Sequence, residues 1–137
     1  MAAVTANQLI KARNPGSLVA IPAAAERLYA GTMAFYNATT GFATGDDNGG
    51  ANHFAGIVKD DTDNSGGSAG DLSVECYQDG EFELVGSSFV QADAGDKAYA
   101  IDNFTIQKSA TTATFVGRIT EFVSATKLMV KLAVGIV

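Results

Sequence analysis

The stretch Ala30-Gly31-Thr32-Met33-Ala34-Phe35 returns as Ala94-Gly95-Asp96-Lys97-Ala98-Tyr99, and Phe54-Ala55-Gly56-Ile57-Val58 returns as Phe115-Val116-Gly117-Arg118-Ile119. The order is kept, and the offsets of 64 and 61 residues are close. Self-similarity at a nearly fixed offset marks a repeated structural unit. Within each copy β-branched and aromatic residues alternate with polar ones between Gly, Asn, Asp and Ser clusters, which is the pattern of short strands. These stretches predict an all-β domain, a small barrel or sandwich built from two similar β-rich halves, with pseudo-repeats near 30–58 and 94–119.

Between the recurrences, Leu72, Val74 and Cys76 alternate with Ser73, Glu75 and Tyr77, and Phe82 and Leu84 follow a Gln78-Asp79-Gly80 loop. A three-residue turn with Gly80 at positive φ would make 72–85 a hairpin, pairing Cys76 with Phe82 and Val74 with Leu84. Glu75 and Glu83 would then face each other on its outer side, with only a spacing likeness to a glycosidase carboxylate pair. After the second recurrence, Phe115, Gly117 and Ile119 are expected on one face of a strand and Val116, Arg118 and Thr120 on the other. A Val123-Ser124-Ala125 connection leads to a closing strand, 127–132. It would bury Leu128, Val130 and Leu132 and expose Lys127 and Lys131 as guards of a sheet edge.

Working back, residues 1–28 lack strong periodicity and carry Pro15-Gly16, so they read as an N-terminal arm ahead of a single β domain at 29–137. A short helix over 23–28 packed on the core is the other reading. Charge follows the same division: residues 1–31 are net +2, 46–96 net −11 and 97–137 net +3.

Length and composition close off several functions. A chain of 137 residues supports one core, and a net charge of −6 has the wrong sign for holding nucleic acid through its phosphates. One cysteine, Cys76, cannot form an internal disulfide and is expected as a buried small hydrophobe; one histidine, His53, is expected in an exposed loop and leaves little material for a zinc site or a hydrolase triad. The apolar run 128–137 is interrupted by Lys131 and is far below the roughly 20 residues of a membrane helix. The run 18–25 is too short, and too interrupted by Pro22, for a secretory signal core. Asp61-Thr62-Asp63-Asn64-Ser65-Gly66 matches half a calcium loop, but position twelve is Leu72, so a solvated loop is expected. No phosphate loop or dinucleotide fingerprint is present. These readings predict no catalytic residue, no metal site and no cofactor.

With these residues in place, the chain resembles a family, the small β-rich head-decoration (cement) proteins of tailed bacteriophages. The entry Tyr29-Ala30-Gly31-Thr32, the strand Phe54-Ala55-Gly56-Ile57-Val58, the turn and strand Ala94-Gly95-Asp96-Lys97-Ala98-Tyr99 and the close Val116-Gly117-Arg118-Ile119 carry the likeness, which covers most of 26–132. The resemblance implies a non-enzymatic virion structural protein, made in the host cytoplasm, that sits on the outer capsid surface as a homotrimer and stabilises the shell. Its partner would be the major capsid protein, with no nucleic acid and no membrane. In that setting the arm is expected to bind the capsid, Lys11 and Arg13 meeting shell carboxylates and Leu9, Ile10 and Leu18 filling shallow pockets. A carbohydrate- or host-surface-binding β module and a fibre or baseplate component are the alternatives.

Overall fold

The computed structural model describes residues 3–15 and 17–134, without the side chains of 13–15. Its strands are β1 (Ala12–Pro15), β2 (Leu18–Pro22), β3 (Arg27–Leu28), β4 (Met33–Tyr36), β5 (Ala43–Thr44), β6 (His53–Val58) and β7 (Thr62–Asp63). They continue as β8 (Ser73–Tyr77), β9 (Gly80–Val85), β10 (Lys97–Ala100), β11 (Ile106–Gln107), β12 (Thr114–Ser124) and β13 (Lys127–Leu132). One sheet runs β1-β9-β13-β12-β10-β11, a second runs β2-β8-β6-β4-β5, and β3 pairs with β7. The chain is all-β and sandwich-like, without a closed barrel.

The two halves are built alike, strand by strand. In the first, Ala34 faces Gly56 and, after a register shift, Phe35 faces Phe54. In the second, Ala98 faces Gly117 and, after the same shift, Tyr99 faces Phe115. Five pairs from Leu18↔Tyr77 to Pro22↔Ser73 join β2 to β8, and five from Glu81↔Lys131 to Val85↔Lys127 join β9 to β13. A single parallel bridge ends each set, Ala23↔Ala43 and Val85↔Thr105. Thus β2, β8, β6, β4 and β5 correspond to β9, β13, β12, β10 and β11, in the same chain order. The β3–β7 pair belongs to the first half alone, and β1 is an extra strand on the edge of β9.

Glycine is needed at the centre of both copies, where neighbouring backbones approach closely. A Cβ on Gly56, at φ +132°, would lie 2.3 Å from the Tyr77 carbonyl oxygen, and one on Gly117 would lie 2.1 Å from that of Lys131. Each therefore lets the strand beside it come closer than a side chain would permit.

The halves bury different faces. Met33, Phe35, Phe54 and Ile57 pack with Phe82, Leu84, Val116 and Ile119 of the other sheet in the larger core. The opposite face of the first half, with Ala34, Ala55, Val58, Val74 and Cys76, packs on Ile21, Ala23, Leu28 and Ala43. Alanine suits that second core because the chain folds back closely there: the Ala24 N–H donates to the Ala43 carbonyl at 2.9 Å. Burial alone pushes the Cys76 thiol up to about 12, which fits its place in the core.

Several local expectations are corrected. Strands β8 and β9 do not form a hairpin: β8 lies between β2 and β6, and β9 between β1 and β13. Alternation placed Val74, Cys76, Phe82 and Leu84 inward, as observed, but burial alone does not say which strand is the neighbour. Crossing between sheets is fixed at Gln78, whose N–H donates to the Ser17 carbonyl and whose side-chain amide donates to the Tyr36 hydroxyl at 2.8 Å. Gly80 does take a positive φ of 105°. Leu72 is exposed, and Glu75 and Glu83 sit in different sheets, opposite Ala20 and Met129. The register shift in β12 turns Phe115 to the same side as Arg118, away from Gly117 and Ile119. The β12–β13 turn is Ala125-Thr126, starting two residues later than expected. Strand β13 buries Leu128, Val130 and Leu132 as expected, but it lies inside its sheet, so its lysines guard no edge. His53 is exposed, as the first residue of β6 rather than in a loop.

The N-terminal arm is shorter than expected. Residues 3–11 run outside the sheets, whereas β1, β2 and β3 are woven into them. Ile21 and Ala23 are buried, and Ala23 to Leu28 forms no helix. The reason is backbone pairing: β2 supplies an outer strand to β8 even though its Leu18-Val19-Ala20 side chains stay exposed.

Candidate functional site

The segment before β1 is tied across the body by its backbone. The Val4 N–H donates to Asn103 Oδ1 at 2.9 Å and the Asn103 amide donates back to the Val4 carbonyl at 3.2 Å. The Gln8 N–H donates to the Ala30 carbonyl at 2.6 Å, the Ala30 N–H donates to Asn7 Oδ1 at 3.0 Å, and the Glu83 N–H donates to the Lys11 carbonyl at 2.7 Å. The strap thereby joins both halves. A cleft of about 270 Å³ lies beneath it, lined by Ile10, Val58, Tyr77 and Phe82 among others.

The expected capsid-binding residues do not gather into one patch. Leu9 stands fully in solvent at 104% relative exposure, and Lys11, two residues on, is exposed as well. Ile10 points the other way, half-buried against the larger core, so it anchors the strap rather than a partner. The Arg13 side chain lies outside the described residues. Leu18 is exposed on β2, within the five-stranded sheet and not on the strap.

The half-calcium loop is occupied by its own chain. Arg27 donates to both Asp61 oxygens, at 2.9 and 2.7 Å, and this holds the Asp61 carboxyl below its usual range. Asp63 is likewise lowered, by hydrogen bonds from the Ser65 hydroxyl and N–H. Asn64 ties the loop down by donating to the carbonyls of Ala23, Ala24 and Ser68. No group of three or more His, Cys, Asp or Glu side chains converges among the described residues.

A second surface was not anticipated. Lys97, Arg118 and Lys131 are consecutive cross-strand partners on β10, β12 and β13, and all three are exposed. Beside them Tyr99 and Phe115 form a half-buried ring pair, 5.8 Å between centroids at 59°, with Lys97 Nζ 5.8 Å from the Phe115 centroid. The corresponding first-half residues are Met33, Ile57, Tyr77, Phe35 and Phe54, whose own ring pair lies 6.2 Å apart at 60°. The sequence signal was available: in the recurrence, Lys97 replaces Met33 and Arg118 replaces Ile57, so the strand stays while its outer face changes character.

One buried carboxylate is strained electrostatically. Asp47 is 7% exposed, its Oδ2 has no hydrogen-bond partner, and desolvation, then Asp46 and Asp102, hold its pKa up. Asp102 Oδ2 and Thr105 Oγ1 are also buried without partners. An acid whose folded pKa is raised costs stability above its unfolded pKa, and the full cost applies above the folded one. Asp47→Asn is therefore expected to raise Tm at pH 7, by the equivalent of roughly 1 kcal/mol. The advantage should vanish as pH falls below the ordinary aspartate range, which paired thermal melts across pH would check.

Set against known proteins, the chain matches no family model, no curated protein and no solved structure.

Proposed function

We propose that this protein is a non-enzymatic coat component that decorates and stabilises the outer surface of a tailed-phage capsid, as a homotrimer bound to the major capsid protein. The observation that carries the reading is the N-terminal strap: it is fastened through the backbone at Val4, Gln8 and Lys11 and through the side-chain oxygen of Asn7, yet holds Leu9 wholly outward. An apolar side chain presented on an anchored segment is already ordered for contact, which lowers the entropy cost of docking. The duplicated sheets give that strap a rigid base spanning both halves. Supporting the reading too is the resemblance of the recurrent strands to decoration proteins.

Leu9→Asp tests the proposal because it leaves every strap hydrogen bond in place. The variant is expected to fold with unchanged Tm while its occupancy on capsids falls at least tenfold, measured by co-sedimentation with purified heads. Unchanged occupancy would remove the strap from the contact.

A further inference from the structure

The open face of the second half carries an inference of its own. By the strand correspondence, Lys97, Tyr99, Phe115, Arg118 and Lys131 stand where Met33, Phe35, Phe54, Ile57 and Tyr77 stand in the first half. The first-half set packs into the larger core, so this face of the repeated unit is a packing face. In the second half nothing in the described chain covers it.

Its charge arrangement is costly as it stands. Like charges directly opposite one another across strands destabilise a sheet, and Lys97, Arg118 and Lys131 occupy three adjacent strands in one row. Four cations elsewhere are paired: Arg27 with Asp61, Lys59 with Asp60, Lys108 with Asp93 and Lys127 with Glu83. Among the described residues neither Lys97 nor Arg118 makes an ion pair, while Lys131 stands opposite Glu81 of β9. A basic row flanking two aromatic rings is suited to an acidic protein surface, on which the rings lose water and the cations gain partners.

This same chain carries such a surface. The loop 60–71, folded around Asn64, holds Asp60, Asp63 and Asp71 exposed, in a region of net charge −11. We propose that the row Lys97, Arg118 and Lys131, with Tyr99 and Phe115, docks the acidic loop 60–71 of a second copy of this chain. The two patches differ, so the contact is heterologous and propagates from copy to copy until the rotation closes a ring. Closure at three copies rests on the trimer reading above; the contact itself does not.

The test is sedimentation of the intact protein at low and high salt. Wild type is expected to associate in low salt and to dissociate at least tenfold more readily in 0.5 M salt. Lys97→Glu with Arg118→Glu, and separately Asp63→Lys with Asp71→Lys, are each expected to sediment as monomers with wild-type circular dichroism. Mixing the two reversed proteins should restore association, because each then meets an opposite charge; this outcome survives even if one variant is somewhat destabilised. A strictly monomeric wild type in low salt, or association unaffected by Lys97→Glu with Arg118→Glu, would overturn the contact. A ring of another size would support the contact and remove the trimer.

Discussion

Replacing Gly56 or Gly117 with alanine is expected to destabilise the fold by about 3 kcal/mol in either half, a loss on the order of 10 °C in Tm. In both places the added methyl would meet backbone rather than a movable side chain: the Tyr77 carbonyl in the first half and the Lys131 carbonyl in the second. Relief would require β6 to separate from β8, or β12 from β13, breaking ladder bonds in the middle of a sheet. Gly66→Ala is the control, because no atom lies within 4 Å of its Cβ position. Thermal melts of the three variants would check the correspondence. A tolerant Gly117 beside an intolerant Gly56 would mean that the halves share a pattern without sharing a structure.

The second large effect separates the halves. Phe35 is fully buried in the larger core, so Phe35→Ala should cost about 3–5 kcal/mol through lost transfer energy and the cavity left behind. Tyr99, its counterpart, is half-buried on the open face, and Tyr99→Ala should cost only about 1 kcal/mol. The tyrosine variant should instead show its main defect in self-association. Denaturant titrations would read the first difference and sedimentation the second. Equal destabilisation by the two would show that the Tyr99 face is packed within the monomer.

The repeated unit was legible in the sequence because it depends on local marks. Ala-Gly entries, Phe-x-Gly strands and alternation reported which residues turn inward, and Val74, Cys76, Phe82, Leu84, Leu128, Val130 and Leu132 are all buried. Partners were harder to read. Nothing in the alternation of 72–85 says that β8 and β9 belong to different sheets, since a crossing and a hairpin bury the same side chains. Strands β1 and β2 were missed because side-chain pattern says little where an outer strand is held by backbone bonds with three exposed residues in a row. The shift in β12 likewise moved Phe115 to a face that strict period-two counting denies it.

Of the five residues expected to meet a capsid, Leu9 and Lys11 are available on the strap, while Ile10 is committed to the core and Leu18 to another surface. Only pairing across the molecule separates them, and pairing is not written in composition. The aromatic and basic face needed two things at once: the recurrence, which aligns Lys97 with Met33, and the fold, which shows that the Met33 face is packed.

The most direct test of the proposed shell role is to add the purified protein to expanded and to unexpanded heads that lack it, and to measure bound copies by cryo-electron microscopy. Saturable density on the outer surface of expanded heads, with the strap against the shell and little or none on unexpanded heads, is the result the proposal predicts. Absence of density on expanded heads at concentrations that saturate any site of micromolar affinity would contradict it.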